Sequence, residues 1–282
     1  MRSNAKQLSK LISYWLRHHP EDGDLVIDDF GWTSTDQLLE ALSKRNFTIQ
    51  LDELVQLSKD FDKIRWEIDL GKNRIRATHG HSIPVILEDK AQSPPAELYH
   101  GSHIGAIQSI AEKGLSVMSR QFVHLSATVE TAISVGSRHG KPIIIEINTK
   151  QLVSDGWVFY QTSDNVWLTT NIPAKYLSFG AWCPVNETNE SLLKELSREI
   201  GNRKSHFLYH SLQKIKAVWQ SGASDDVLFQ NQETGECHVV HLTYTKREQE
   251  VDGWPHIERF ETINEWFAKG LWDDQQYFYD LK

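Results

Sequence analysis

The arginine and histidine residues at the ends of predicted elements are the side chains of this sequence best suited to chemistry. In the first two thirds of the chain they are Arg17, His18, Arg76, His79, His81, His100, Arg120, His124, Arg138 and His139. Arginine stays protonated in proteins and forks two hydrogen bonds onto a phosphate, whereas histidine exchanges a proton near neutral pH. These residue types predict a site that binds a phosphate group and moves a proton.

The sequence motifs of other common active sites are absent. The chain contains no GxxxxGK[ST] loop, no GxGxxG after a predicted strand, no HExxH and no GxSxG. Its two cysteines, Cys183 and Cys237, are too far apart for a paired metal-ligand motif. We therefore expect arginine-based phosphate chemistry without a metal.

Each of these residues also has an ordinary structural interpretation. The "RHH" at the end of the first helix can simply complement the helix dipole, and "RIRATHGHS" is typical of a solvated strand. His100 and His124, each taken alone, are more typical of core or strand histidines than of ligands. All of these interpretations together require many coincidences, which favours a shared site.

The elements that position these residues begin with three predicted helices and a hairpin. Apolar residues at three- and four-residue intervals predict helices in "LSKLISYWLRHHP", "TSTDQLLEALSKRN" and "LDELVQLSKDF". Thr33 or Ser34 is the expected N-cap of the second helix. Alternating residues in "RWEIDL" and "RIRATH" around a "GKN" turn predict a β-hairpin. Together they predict a winged-helix lobe over residues 1–85.

Two further regions follow a polar linker with a double proline, "EDKAQSPPAE". Strands such as "LYHGS" and "PIIIEI" with intervening helices predict a sheet-rich lobe over residues 96–183. Residues 184–282 combine a charged helix, the short strands "IKAVWQ", "DVLFQN" and "HVVHLTYT", and the closing helix "ETINEWFAKGL". They predict a small α+β domain, so the predicted fold class of the whole chain is α+β.

The acidic charge of this chain of 282 residues is concentrated in its last hundred residues. Lys and Arg number 12 against 13 acids in residues 1–80, 7 against 8 in residues 81–183, and 11 against 17 in residues 184–282. The acidic excess argues against an RNA-binding module in residues 184–282, for which we expect a role in stability or in binding a protein partner. The chain shows no membrane span and no signal peptide, which predicts a cytoplasmic protein that does not bind membranes.

Seven motifs, in order over about residues 4–180, resemble those of the RNA 2′-phosphotransferases. They are "LSKLISYWLRHHPED", "DDFGWTSTDQLLEAL", "RIRATHGHS", "LYHGS", "SRQFVHLS", "VGSRHGKPIIIEI" and "VWLTTNIPAKYL". The resemblance implies a winged-helix lobe beside an ADP-ribosyltransferase-like lobe. It also implies removal of an internal 2′-phosphate from RNA, such as spliced tRNA, with NAD⁺ as co-substrate and no metal. The reaction would pass through a 2′-phospho-ADP-ribosylated intermediate and release nicotinamide and ADP-ribose 1″,2″-cyclic phosphate.

The same resemblance implies roles for individual residues. The implied catalytic set, in a cleft between the two lobes, is Arg17, His18, Arg76 and Arg120. The residues implied to bind the RNA phosphate are Arg17, His18, Arg76 and His81. The residues implied to bind NAD⁺ are His100, Gly101, Ser102, His124, Ser126, Arg138 and His139. Thr78 and His79 stand where the family's motif has the amide residues Asn and Gln, and "HGS" stands where the family has "HGT". These departures leave the substrate preference open.

Two alternative functions remain open at the level of sequence. An ADP-ribosyltransferase that modifies terminal phosphates of RNA or DNA would use the same residue types. A winged-helix regulator would bind duplex DNA, but it needs a basic recognition helix, and both candidate helices mix acids with bases. The natural RNA, a link to tRNA splicing and the oligomeric state are not predicted by the sequence.

Overall fold

A computed structural model of the protein describes residues 2–59, 65–185, 189–245 and 255–280. Helices and strands alternate throughout these residues, which confirms the α+β class. No helix in the described ranges combines the length and the apolar character needed to cross a bilayer. The elements of the first 80 residues are α1 (Arg2–Arg17), β1 (Thr33–Ser34), α2 (Thr35–Lys44), α3 (Leu51–Lys59), β2 (Trp66–Asp69) and β3 (Arg74–Ala77).

The middle of the chain contributes nine elements. They are β4 (Glu97–His103), α4 (Ile107–Lys113), β5 (Val123–Ser126), α5 (Val129–Gly136), β6 (Pro142–Asn148), α6 (Thr149–Ser154), β7 (Tyr160–Ser163), β8 (Val166–Thr169) and β9 (Leu177–Ser178). The described residues of the last part contribute eight more. They are β10 (Trp182–Pro184), α7 (Asn189–Ile200), β11 (Ile215–Ser221), β12 (Asp226–Asn231), β13 (Cys237–His241), β14 (Ile257–Phe260), α8 (Ile263–Trp266) and α9 (Trp272–Phe278).

The chain forms two compact units. The first comprises the described residues of 1–94, 116–125 and 153–172, and the second those of 95–115, 126–152 and 173–282. The lobe boundaries expected from the sequence stay a prediction.

The first unit begins with the predicted three helices and hairpin. Strands β2 and β3 pair antiparallel, with Glu67 opposite Arg76, and β1 pairs with the other edge of β3. Ser34 is the N-cap of α2, because its side chain accepts hydrogen bonds from the backbone N–H groups of Asp36 and Gln37. The predicted helices and hairpin are therefore confirmed.

The buried face of α1 fixes the position of its C-terminal end. Ile12, Trp15 and Leu16 are buried and pack in one cluster with Leu38 and Leu54 of the next two helices. Burying an apolar side chain of this size contributes roughly 1.5–3 kcal/mol. Since Arg17 directly follows Leu16, its backbone is held by this core.

Part of the predicted linker is packed rather than free. Ala91 forms a β-bridge with Tyr160, and the Gln92 N–H donates to the Phe159 carbonyl at 3.0 Å. A little earlier in the chain, the Gln121 side chain exchanges two hydrogen bonds with the backbone of Val85. Residues 85–92 therefore belong to the first unit together with β7 and β8.

The second unit is built on two antiparallel groups of strands. Strand β6 lies between β4 and β9, and β10 to β14 form a sheet in chain order. The Gln275 side chain of α9 exchanges hydrogen bonds of 3.0 and 2.7 Å with the backbone N–H and C=O of Ile144 in β6. The three predicted strands of residues 184–282 are confirmed as β11, β12 and β13, and the closing helix as α8, a π-turn and α9.

Candidate active site

The segment after β3 folds back onto the C-terminal end of α1. The Arg17 carbonyl accepts the Ser82 N–H at 2.9 Å, and the Ser82 hydroxyl lies 3.0 Å from His18 Nδ1. Gly80 makes this turn with φ at +87°, a conformation that L side chains rarely adopt. The structure thus brings "RHH" and the end of "RIRATHGHS" together.

Arg17 is a partly buried cation without a counter-charge among the described residues. Its Nη2 donates to the Arg65 carbonyl at 3.1 Å, while Nε has no hydrogen-bond partner among the described residues. Burial, together with the charges of Arg65 and Arg120, lowers the pKa of the guanidinium to about 10. None of the described carboxylates forms an ion pair with Arg17 or Arg120. A buried charge is costly without a partner, so this arrangement favours an anionic ligand.

Three histidines surround this cation. Burial and the Arg17 charge lower the pKa of His79 to about 3 and that of His81 to about 4. Burial, followed by Arg17, His19 and Arg120, also lowers the pKa of the half-buried His18. The imidazoles of His79 and His81 are therefore neutral at pH 7. Nε2 of His81 has no hydrogen-bond partner in the described part of the chain.

His124 joins this cluster from β5. Its ring lies edge-on to His79, with 5.8 Å between the ring centres. Nδ1 of His124 donates to the Phe122 carbonyl at 3.1 Å, which places the proton of the neutral ring on that nitrogen. Arg17, His18, His79, His81, Arg120 and His124 thus form one cluster within the first unit, here called the Arg17 cluster.

Arg76 lies beside His81 but has a different environment. Its side chain is buried, with Nε 2.5 Å from Glu67 Oε1 and Nη2 2.8 Å from Asp89 Oδ2. Nη1 donates to the Phe30 carbonyl, and the guanidinium lies over the Trp32 ring. Burial lowers the pKa of Arg76, but the hydrogen bonds and charges of the two carboxylates outweigh it and raise the pKa overall. Two acids therefore neutralise this cation.

The other residues predicted to bind NAD⁺ lie in the second unit. His100, Gly101 and Ser102 are on β4, opposite three isoleucines of β6, and Ser126 pairs with Tyr99. Arg138 and His139 are exposed in the turn after α5. They fall in a different unit from the Arg17 cluster.

Gly101 is required by packing. A Cβ at this position would lie 1.8 Å from the Ala132 carbonyl oxygen of α5. Only glycine allows the helix to approach β4 so closely. This explains the glycine without reference to a ligand.

Sequence reasoning missed the residues that contact Arg17 and Arg76. Glu67 could have been found, since the register of the predicted hairpin places it opposite Arg76. Asp89 lies in the segment interpreted as a linker, and nothing in the sequence indicated its contact. Arg65, whose carbonyl holds Arg17, carried no signal either.

Comparison with known proteins adds an independent finding. The model of the family described as "RNA 2'-phosphotransferase, Tpt1 / KptA family" matches residues 3–171 of this chain. A protein of Fusobacterium nucleatum subsp. nucleatum named "Probable RNA 2'-phosphotransferase" is 42% identical over 177 residues, which are 62% of this chain and 99% of that protein. Residues 172–282 lie outside the family match.

Two further relatives carry the same name. The protein of Hahella chejuensis is 43% identical over 178 residues, 63% of this chain and 96% of that protein. The protein of Acetivibrio thermocellus is 44% identical over 177 residues, 61% of this chain and 96% of that protein. The similarity thus extends over nearly the whole length of each relative.

Proposed function

Because the chain belongs to the RNA 2′-phosphotransferase, Tpt1/KptA family, we propose that it removes a 2′-phosphate from RNA with NAD⁺ as co-substrate. The observation that carries this proposal is the Arg17 cluster, in which a partly buried guanidinium has arginines and histidines around it and no carboxylate partner among the described residues. A phosphate dianion supplies the missing charge. In the proposed fold the first lobe is a winged helix and the second is ADP-ribosyltransferase-like.

In the proposed first step, Arg17 and Arg120 hold the RNA 2′-phosphate while one of its oxygens bonds to the anomeric carbon of the nicotinamide ribose. The glycosidic bond breaks, and nicotinamide leaves with the bonding electrons. The nucleophile is already an anion and needs no general base. A carboxylate about 4 Å away would instead cost about 4 kcal/mol at an effective dielectric of 20.

In the second step the ribose 2″-hydroxyl attacks the same phosphorus atom. The bond from phosphorus to the RNA 2′-oxygen breaks, the hydroxyl proton is passed to that oxygen, and ADP-ribose 1″,2″-cyclic phosphate is released. His18 is the proposed proton carrier, since Ser82 lies 3.0 Å from its Nδ1 and its imidazole is only half-buried. The reaction balances without a metal or a redox partner.

The residues present fit an NAD⁺ pyrophosphate as well as an RNA phosphate. Nε of Arg17 and Nε2 of His81 are buried polar atoms without a hydrogen-bond partner among the described residues. We propose that His124 and the second-unit residues predicted for this role bind NAD⁺, which would supply an electrophilic ribose carbon and a leaving group. We assign residues 184–282 no part in this reaction, and a role in stability or in binding a protein partner stays a prediction.

The proposal is tested with purified protein, NAD⁺ and an oligonucleotide that carries one internal 2′-phosphate. Mass spectrometry should show loss of the phosphate from the RNA together with nicotinamide and ADP-ribose cyclic phosphate. An oligonucleotide that keeps its 2′-phosphate and gains no ADP-ribose would contradict the proposal. A control oligonucleotide with only a terminal phosphate tests the alternative activity, since a stable ADP-ribose adduct on that phosphate would favour it.

A further inference from the structure

A cationic pocket of about 460 Å³ lies in the last part of the second unit. Two arginines, two histidines, a serine and a phenylalanine contribute to its lining: Arg203, Ser205, His206, Phe207, His256 and Arg259. The described residues that line it include no aspartate or glutamate. Residues 184–282 as a whole carry 17 acids and 11 Lys and Arg, so the pocket has the opposite charge to the segment around it.

The two arginines are held in place by hydrogen bonds to neighbouring groups. Nε and Nη2 of Arg203 donate to the carbonyls of Ile200 and Glu199 at 3.2 and 2.8 Å, at the C-terminal end of α7. Nε of Arg259, on β14, donates to Glu236. Glu236 forms an ion pair with Nε of Arg259, and this carboxylate is not among the residues that line the pocket. A guanidinium fixed in this way loses little freedom when it binds an anion.

A histidine adds a neutral donor to the same pocket. The Leu208 N–H donates to Nδ1 of His206 at 3.2 Å, so this nitrogen is an acceptor. The proton of the neutral imidazole therefore lies on Nε2, which acts as a donor. An anionic ligand requires hydrogen-bond donors, and the pocket offers Nε2 of His206, the Ser205 hydroxyl and the two arginines.

Phe207 supplies the apolar surface of the pocket. Phe207 is 50% exposed, so its ring is accessible to a ligand. The Arg259 guanidinium lies 5.3 Å from the ring centre, and the buried His238 supports the ring edge-on from 5.0 Å. A planar group that enters the pocket would meet both an aromatic face and a guanidinium plane.

We propose that this pocket binds a mononucleotide, with the phosphate on Arg259, Arg203 and His206 and the base beside Phe207. Its volume falls within the roughly 300–1,000 Å³ of small-molecule sites, so a lone phosphate would leave most of it empty. The binding unit is a free nucleotide or the phosphorylated end of an RNA. This site is additional to the Arg17 cluster and does not depend on the reaction proposed for it.

The site is located by photo-crosslinking of the full-length protein with 8-azidoadenosine monophosphate. Trypsin cleavage after Lys204 and Lys214 releases residues 205–214 as one peptide, which contains Phe207. We expect the label on this peptide, with protection by excess AMP and none by adenosine. Labels confined to other peptides, or protection by adenosine equal to that by AMP, would overturn the proposal.

Affinity is measured by calorimetric titration of the full chain with AMP, adenosine and inorganic phosphate. Arg259→Gln should weaken the AMP binding that protects this peptide about tenfold, since hydrogen bonds to charged groups are worth about 1.5–3 kcal/mol. Phe207→Leu should weaken AMP and leave phosphate unchanged. The matched control is Lys214→Gln, which removes an exposed ion pair with Glu233 outside the pocket. Equal effects of Arg259→Gln and Lys214→Gln would refute a specific site.

Two competitors then distinguish the sources of the nucleotide. A short RNA with a 5′-monophosphate that protects the peptide at lower concentration than AMP identifies an RNA end as the ligand. Protection by AMP at lower concentration than the RNA identifies a free nucleotide. Protection by the same RNA without its 5′-phosphate, at equal concentration, would overturn the role of the arginines.

Discussion

Arg17 and Arg76 are a partly buried and a buried arginine of the first unit, and they have opposite electrostatic environments. Arg17 lies near Arg65 and Arg120, and its pKa is lowered to about 10, first by burial and then by these charges. Arg76 forms ion pairs with Glu67 and Asp89. A cation without a counter-charge among the described residues is suited to bind an anion, whereas a buried cation with two carboxylate partners is suited to hold structure. The family resemblance assigned the two arginines one shared role, and from their different partners we propose two.

The largest effect is expected from the removal of Arg17. Arg17→Ala should lower the rate of 2′-phosphate removal by about a hundredfold to a thousandfold, the usual loss when one stabilising donor is removed. Its free energy of unfolding should stay constant or rise, because a partly buried charge without a counter-charge among the described residues disappears. The control is Lys44→Ala, which removes an exposed cation of the same unit. Full activity of Arg17→Ala would show that this cation does not hold the reacting phosphate.

Removal of Arg76 should instead lower stability. Arg76→Ala leaves Glu67 and Asp89 without their partner and removes the cation above Trp32. We expect a loss of about 3 kcal/mol in the free energy of unfolding, at the lower limit for a broken buried pair because both carboxylates are partly exposed. Chemical denaturation of Arg76→Ala and of Arg74→Ala, on the same strand, measures this. If Arg76→Ala unfolds like the wild type but has lost its activity, Arg76 contacts the phosphate directly.

The histidines of the Arg17 cluster should make stability depend on pH. His79 and His81 have folded-state pKa values of about 3 and about 4, below the ordinary 6.5, so the unfolded chain binds more protons between pH 4 and pH 6.5. The contribution of these two neutral imidazoles to stability is therefore fully present above about pH 6.5 and is lost as the pH falls. Between pH 7 and pH 5 each histidine should cost about 2 kcal/mol. Urea unfolding of the His79→Asn variant should show a smaller loss of unfolding free energy between pH 7 and pH 5 than the wild type shows. Equal losses in the two proteins would contradict a buried, neutral imidazole at His79.

The sequence predicted the local elements better than the electrostatic environment of its arginines. Periodicity was sufficient for α1 to α3 and for the β2–β3 hairpin, since each depends on residues close in the chain. It missed β14, a short strand of mixed polarity next to residues outside the described ranges. The same limit applies to charge. A count of charged residues over residues 184–282 gives an acidic total and does not reveal the cationic pocket among them.

The sequence predicted which residues belong to the candidate site but not which of their charges are paired. The family resemblance implied that Arg17, His18, Arg76 and Arg120 act together, and all four lie in the first unit. No pattern in the sequence reports whether a guanidinium is already neutralised, since Asp89 contacts Arg76 across a segment interpreted as a linker. Such contacts depend on the tertiary fold.

The smallest effect is expected from releasing Arg76 without removing it. Asp89→Asn takes away one of its two negative partners, at 2.8 Å from Nη2, while Glu67 stays in place. The extra positive potential should lower the KM for 2′-phosphorylated RNA about threefold at low salt, and the effect should vanish near 1 M salt, where screening is nearly complete. The matched control is Asp69→Asn, which removes the acidic partner of Arg74 on the same hairpin. If both variants lower KM equally, the cause is net charge, and the contrast between Arg17 and Arg76 loses its support.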